Sequence, residues 1–216
     1  RQAPIAKFDL KGDPTTACDL PDDPDIFVVG DVIGFIYFVS ITNKNIVASM
    51  NAFEMKKEIS ITFLAVIGDL GYLIACNYNG YVKFWSMDQA KENEKSNDEE
   101  DETENKISNI DDDFVRRLKQ IKLFRGHTQS IFSVVYYKKL NIIITLGRDQ
   151  EVRIWCLDDP LTLVGELGKP KKWDFDRVET WMGDDNIFFN EEDFITAGQK
   201  ELKIKSVQAK NTNENH

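Results

Sequence analysis

Histidine-based chemistry in this chain would have to start from His127, because the only other histidine, His216, is the last residue. Two histidines leave little material for a His-based metal site or a nucleophile–base–acid triad. Cys156 could be paired with His127 as nucleophile and base, but both positions have another explanation in the repeat described next. Gly168-Lys169-Pro170 lacks the upstream glycine spacing and the following Ser or Thr of a phosphate loop. Asp184-Asp185-Asn186 lacks the later Asp or Asn and the Gly that a calcium loop needs. No Cys-x-x-Cys occurs, and Lys169, Lys171, Lys172 and Trp173 read as an exposed basic loop rather than a nucleic-acid site. The expectation is a non-enzymatic chain with no cofactor and no metal.

The elements around His127 are more informative. Between Arg125 and Leu157 lie three short runs rich in β-branched and aromatic residues: Ile131 to Tyr137, Ile142 to Leu146 and Val152 to Trp155. Lys138-Lys139-Leu140-Asn141 and Gly147-Arg148-Asp149-Gln150 separate them, and both are turn material. The simplest fold is a three-stranded antiparallel meander. With Gly126-His127 at its start and Trp155 near its end, this stretch resembles the WD40 repeat, the unit of the β-propeller.

That resemblance implies a role for four residues. In the family a His before the first strand, a Ser or Thr on the second, an Asp in the tight turn and a Trp on the third form a buried hydrogen-bonded tetrad. The matching positions here are His127, Thr145, Asp149 and Trp155. The carboxylate can accept from imidazole and turn N–H groups, while the imidazole is expected to bridge to the hydroxyl and the indole N–H. This assigns His127 a structural role.

One such unit cannot bury both faces of its sheet, so others are expected. Residues 35–39, 81–85, 151–155 and 201–205 align as third strands, which puts Val39, Trp85, Trp155 and Lys205 in one column. Ile36, Val82, Val152 and Leu202 form another, and Gly34, Gly80, Gln150 and Lys200 share the turn position before the strand. The other turns carry Ile33, Asn79 and Gln199 where the tetrad Asp would be. Each repeat reads as an outer strand followed by three inner ones. Outer strands are expected at 5–10, 48–55 and 161–167, with further strands at 173–181, 187–190, 194–197 and 202–207. The architecture is an all-β, WD40-type propeller with four degenerate blades, expected to be part of a larger propeller. Two blades fall in 1–87 and two in 114–207, with a polar tail over 208–216.

Residues 88–113 interrupt this pattern with 12 Asp or Glu against 3 Lys. That net of −9 leaves the rest of the 216-residue chain, whose total is −10, near −1. So polar a stretch cannot bury enough apolar surface to offset its ordering entropy, and it reads as a surface insertion between blades. Ser96 followed by Glu99, and Ser108 followed by Asp111, suit an acid-directed kinase and are phosphorylation candidates.

The acidic balance disfavours a general nucleic-acid surface. The two most apolar runs, 26–41 and 59–76, are broken by Gly30-Asp31 and Gly68-Asp69 and read as buried strands rather than membrane spans. Three scattered cysteines point to a reducing, cytoplasmic compartment. Arg1 in place of a Met suggests a piece of a longer protein. The resemblance implies a scaffold or adaptor in a multiprotein assembly, with a fainter likeness to large ciliary and cytoskeletal WD-repeat proteins. Candidate protein contacts, carried over by position as exposed turn residues, are Asn77, Tyr78, Arg125, Arg148 and Gln150. The alternative is an acidic chaperone or assembly factor whose insertion binds a basic client.

Overall fold

The computed structural model describes residues 7–88, 110–158, 162–168 and 172–182. Twelve strands there form three antiparallel sheets of four, each a simple meander. The first holds β1 (Pro14–Asp19), β2 (Ile26–Asp31), β3 (Phe35–Ser40) and β4 (Asn45–Asn51). The second holds β5 (Ile61–Ile67), β6 (Tyr72–Asn77), β7 (Tyr81–Ser86) and β8 (Lys119–Arg125). The third holds β9 (Ile131–Tyr137), β10 (Ile142–Gly147), β11 (Val152–Cys156) and β12 (Thr162–Glu166).

The first strands of the sheets lie side by side, β1 against β5 and β5 against β9, so the sheets stack about a common inner edge. Thr15 Oγ1 donates across the first seam to the Ile61 carbonyl at 2.6 Å, and Thr62 Oγ1 donates across the second to the Ile131 carbonyl. Apolar side chains fill the gaps between the broad faces. Ile36, Phe38, Leu64, Ala75 and Trp85 pack between the first two sheets, and Ile74, Phe84, Phe124, Val134 and Trp155 between the second and third. Phe124 joins the stack, its ring 4.7 Å from Trp155 and 6.3 Å from Phe84, centre to centre.

Register supports the alignment of columns. Val39, Trp85 and Trp155 face Phe27, Leu73 and Ile143 on the second strands. In all three sheets the pairing of third with fourth strand slips just before this column, at Phe38/Val39, Phe84/Trp85 and Ile154/Trp155. A bulge bends and twists the strand it interrupts, so the outermost strand turns away at the same height in each sheet.

Several expectations are corrected. Along the chain an outer strand does precede three inner ones, but it pairs back onto the sheet just completed and so is not part of the same sheet as those three. Asn45–Asn51 pairs with β3, and Thr162–Glu166 pairs with β11. A short connection brings β4 back to β3 and β12 back to β11, while β8 returns to β7 only after residues 87–118. Residues 7–10 are not a strand, and β1 starts at Pro14, where a missing N–H is tolerated because it is the first position. Residues 173–181 form no strand either. Asp174 accepts the Asp176 N–H at 3.0 Å, Thr180 Oγ1 donates to the Arg177 carbonyl at 2.7 Å, and the chain curls into a 3₁₀ turn at Val178–Thr180.

The acidic stretch is also shorter than its composition suggested. Ile110 is buried, and a helix, α1 (Asp112–Arg117), begins inside it with the Asp111 carboxylate accepting the Phe114 N–H at 2.8 Å. Phe114 inserts between the first two sheets, edge-on to Phe38 with ring centres 5.6 Å apart. The strands expected at 187–190, 194–197 and 202–207, and Ser96 and Ser108, lie outside the described residues. Among the described residues, no helix is long and apolar enough to cross a membrane.

Candidate protein-binding face

At one end of the stack, the turns between second and third strands come from three successive sheets. Each closes with an i to i+3 backbone bond: Gly34 N–H to Asp31, Gly80 N–H to Asn77 at 3.1 Å, and Gln150 N–H to Gly147 at 3.2 Å. The closing residue is left-handed in every case, with φ of 96° at Gly34, 81° at Gly80 and 66° at Gln150. At Gly80 glycine is also required by space, since a Cβ would come within 2.0 Å of the His127 carbonyl oxygen.

The side chains that hold these turns differ. Asp31 accepts the N–H groups of Ile33 and Phe35 at 3.0 and 2.8 Å, and the Tyr37 hydroxyl at 2.8 Å. Asn77 Oδ1 accepts the N–H groups of Asn79 and Tyr81, both at 3.0 Å. The equivalent residue of the third sheet is Gly147, and its missing side chain leaves room for a different solution. A Cβ there would lie 2.3 Å from both Asp149 Oδ1 and His127 Nδ1.

In that room the four residues singled out in the sequence meet. His127 Nδ1 lies 2.9 Å from Asp149 Oδ1, His127 Nε2 lies 2.8 Å from Thr145 Oγ1, and Trp155 Nε1 donates to Thr145 Oγ1 at 2.8 Å. The hydroxyl, not the imidazole as expected, receives the indole N–H. Asp149 also accepts the Thr128 N–H at 2.8 Å and the Glu151 N–H at 3.3 Å. Burial holds His127 below the ordinary imidazole value, against the opposing pull of Asp149. Burial works against the charge on Asp149, but the bonds from His127, Thr128 and Glu151 outweigh it and keep the carboxyl low.

These directions fix the protons. A neutral imidazole donates from Nδ1 to Asp149 and accepts at Nε2 the Thr145 hydroxyl proton, which frees the oxygen to accept from Trp155. The imidazole, hydroxyl and indole N–H groups thus satisfy one another and Asp149. His127, Asp149 and Glu151 lie close enough together to suggest a metal cluster. Their donor atoms are committed, Glu151 to Arg153 at 2.7 Å and Asp149 as above. Cys156 lies on the opposite face of β11 from Trp155 and donates to Asp158 at 3.2 Å, out of His127's reach.

The first central position of the three turns holds Val32, Tyr78 and Arg148, and all three side chains are exposed, Tyr78 by 58%. Gln150 is exposed beside Arg148. Arg125 is half-buried, donating to the carbonyls of Asn79 at 2.9 Å and Thr128 at 3.0 Å. Asn77 is fully buried, its Oδ1 held by its own turn and its Nδ2 donating to Met55 Sδ at 3.4 Å, and it is withdrawn as a contact residue. Val32 was not singled out in the sequence; the shared turn position with Tyr78 and Arg148 was the available signal. The opposite end carries the turns Gly68–Leu70 and Lys138–Leu140, joined by the exposed pair Lys138 and Asp69 at 2.9 Å. At this second end Met87 N–H bonds the Gly71 carbonyl at 2.7 Å.

A family model described as "WD domain, G-beta repeat" matches residues 118–156. That stretch is a WD40 repeat. The matched unit runs from β8 through β11, so a WD40 repeat here straddles two sheets, contributing the outer strand of one and three strands of the next. The chain is similar to the crystal structure of the RRP9 WD40 repeats, with a TM-score of 0.53 at 11% identity, over 76% of this chain and 41% of that one. The computationally designed Ika8 protein gives a TM-score of 0.48 at 13% identity, over 78% of this chain and 41% of that one. The chain spans about two fifths of the length of either solved chain, and its three stacked sheets do not close a ring among the described residues. No curated protein matches it in sequence.

Proposed function

We propose that this chain is a non-catalytic scaffold that binds another protein across its row of second-to-third-strand turns, within a multiprotein assembly. The observation carrying this reading is that three successive turns of one geometry present Val32, Tyr78 and Arg148 at the same turn position and leave them exposed. Backbone closure and the buried side chains beneath hold the turns rigid, so little ordering entropy opposes binding. Tyr and Arg are the residue types that most often anchor such contacts. WD40 repeats generally mediate protein–protein contacts, and the saturated hydrogen bonds of His127 suit a structural role. A ciliary or cytoskeletal assembly is the setting this reading names, on the likeness of divergent repeats broken by a long polar insertion.

The acidic chaperone reading places recognition in residues 88–113. Affinity capture separates the two. Deleting 89–109 should leave the captured partners unchanged, whereas Tyr78→Ala with Arg148→Glu should lose them. The reverse pattern would overturn the scaffold reading in favour of the acidic one.

A further inference from the structure

In every sheet the slip between third and fourth strands leaves one aliphatic residue of the fourth strand with no residue opposite it: Val47 in β4, Ile121 in β8 and Val164 in β12. Two of these three bulged residues are covered by this chain. α1 lies against β4, and Val47 shares an apolar cluster with Ile110, Phe114 and Val115. Val164 is fully buried beneath Trp173, Phe175 and Trp181, and its carbonyl accepts the Met182 N–H at 3.1 Å. Ile121, at the same place on the second sheet, is 46% exposed.

The covered strands and the bare one also differ in size and charge beside the bulge. The residues opposite Phe38 and Ile154, one place after the bulge, are small, Ala48 and Gly165, and at Gly165 a Cβ would come within 2.2 Å of the Trp173 ring. In β8 that place holds Lys122, opposite Phe84. Exposed Lys119 and Gln120 come just before Ile121, and residues 116–122 hold four Lys or Arg and no Asp or Glu. We propose that Ile121, with Lys119 and Lys122 on either side, is a second protein-contact site, on the rim of the stack, that takes a short acidic segment of a partner protein carrying an aromatic anchor. α1 displays that chemistry at the equivalent place on the first sheet: Asp111, Asp112 and Asp113 stay exposed while Phe114 is fully buried. At the bare site the anchor seats on Ile121 and the carboxylates meet the lysines, a charge match that selects among partners.

Fluorescence anisotropy with the full chain tests this, the probe being a fluorescein-labelled peptide that copies residues 110–115, the acidic and aromatic stretch seated near Val47. The chain should bind it saturably. Ile121→Asp, or Lys119→Glu with Gln120→Glu, should each weaken binding by about tenfold while buried Cys76 stays unreactive to thiol reagents, and if one variant exposes Cys76 the other decides. Phe114→Ala in the peptide should abolish binding. Tyr78→Ala with Arg148→Glu should leave it unchanged, so this site and the row of turns stand or fall separately. The proposal is overturned if binding is not saturable, if it is indifferent to the β8 substitutions, or if it is lost with the turn substitutions instead. It is also overturned if the peptide binds only after 89–109 are deleted, which would mean that the chain's own insertion covers the strip.

Discussion

Lys83 and Arg153 occupy the same position on the third strands of neighbouring sheets, and each buried cation reaches back to the backbone where the chain leaves the sheet before. Lys83 Nζ donates to the Ala52 carbonyl, and Arg153 Nη1 donates to the Gly126 carbonyl. The two acceptors are themselves equivalent, since Ala52 and Gly126 each donate their N–H to the Gly34 or Gly80 carbonyl of the turn at 2.9 Å. One side chain per repeat thus ties the incoming chain to the third strand of its own sheet. The surroundings differ. Lys83 lies over the Trp85 ring at 4.9 Å, whereas Arg153 is paired with Glu151 at 2.7 Å and Glu166 at 2.9 Å.

That difference predicts unequal losses. Lys83→Met keeps the stem but leaves the Ala52 carbonyl without this donor, and should cost about 1–3 kcal/mol. Arg153→Met removes the cation paired with both Glu151 and Glu166 and should cost about 3–5 kcal/mol. Urea unfolding of both variants measures the order, and an equal or smaller loss at Arg153 would contradict it.

Thr145 is the hinge of the hydrogen-bond network, because its one hydroxyl serves both His127 and Trp155. Thr145→Val should therefore cost about 3 kcal/mol by leaving two buried ring nitrogens unpaired, and Thr145→Ser should recover most of it. A valine variant as stable as the parent would mean the network is incidental.

Acid sensitivity follows from the same residues. The folded state holds His127 neutral below its ordinary value of 6.5, so between that value and its folded one the unfolded chain binds more protons and stability falls as pH drops. Asp149, held below 3.8, adds a second loss of the same sign at lower pH. Melting temperature should fall as pH is lowered from 7.5 to 5, and His127→Gln should flatten that dependence while lowering the starting value. Parallel slopes in parent and variant would rule this out.

Gln150 tests the turn geometry from the other side. At φ 66° a side chain is strained where Gly34 and Gly80 are not, so Gln150→Gly should stabilise by about 1 kcal/mol. Gly80→Ala should do the opposite and by more, because its Cβ meets backbone. Calorimetry of the two variants gives the signs directly.

The strand order and the columns of the three sheets were legible in the sequence because hairpins are local: β-branched runs, turn residues and the spacing of Trp85 and Trp155 are all short-range signals. What escaped was non-local. Which sheet receives Asn45–Asn51 depends on pairing, not composition, and the role of Lys83 is hidden because its acceptor is a backbone carbonyl with no sequence signature. Asn77 looked like an exposed turn residue by type, yet its side chain turns inward to hold the turn. Phe114 and Ile110 were lost in an acidic context, although two apolar residues suffice to anchor the end of that stretch in the core.

Site-specific photocrosslinking tests the central functional claim most directly. A photoreactive phenylalanine at position 78, on the exposed turn of the second sheet, is compared with one at position 140, exposed at the opposite end. The account predicts that partner proteins in a cell extract crosslink through position 78 and not through position 140. Crosslinking at 140 alone, or equally at both, would contradict it.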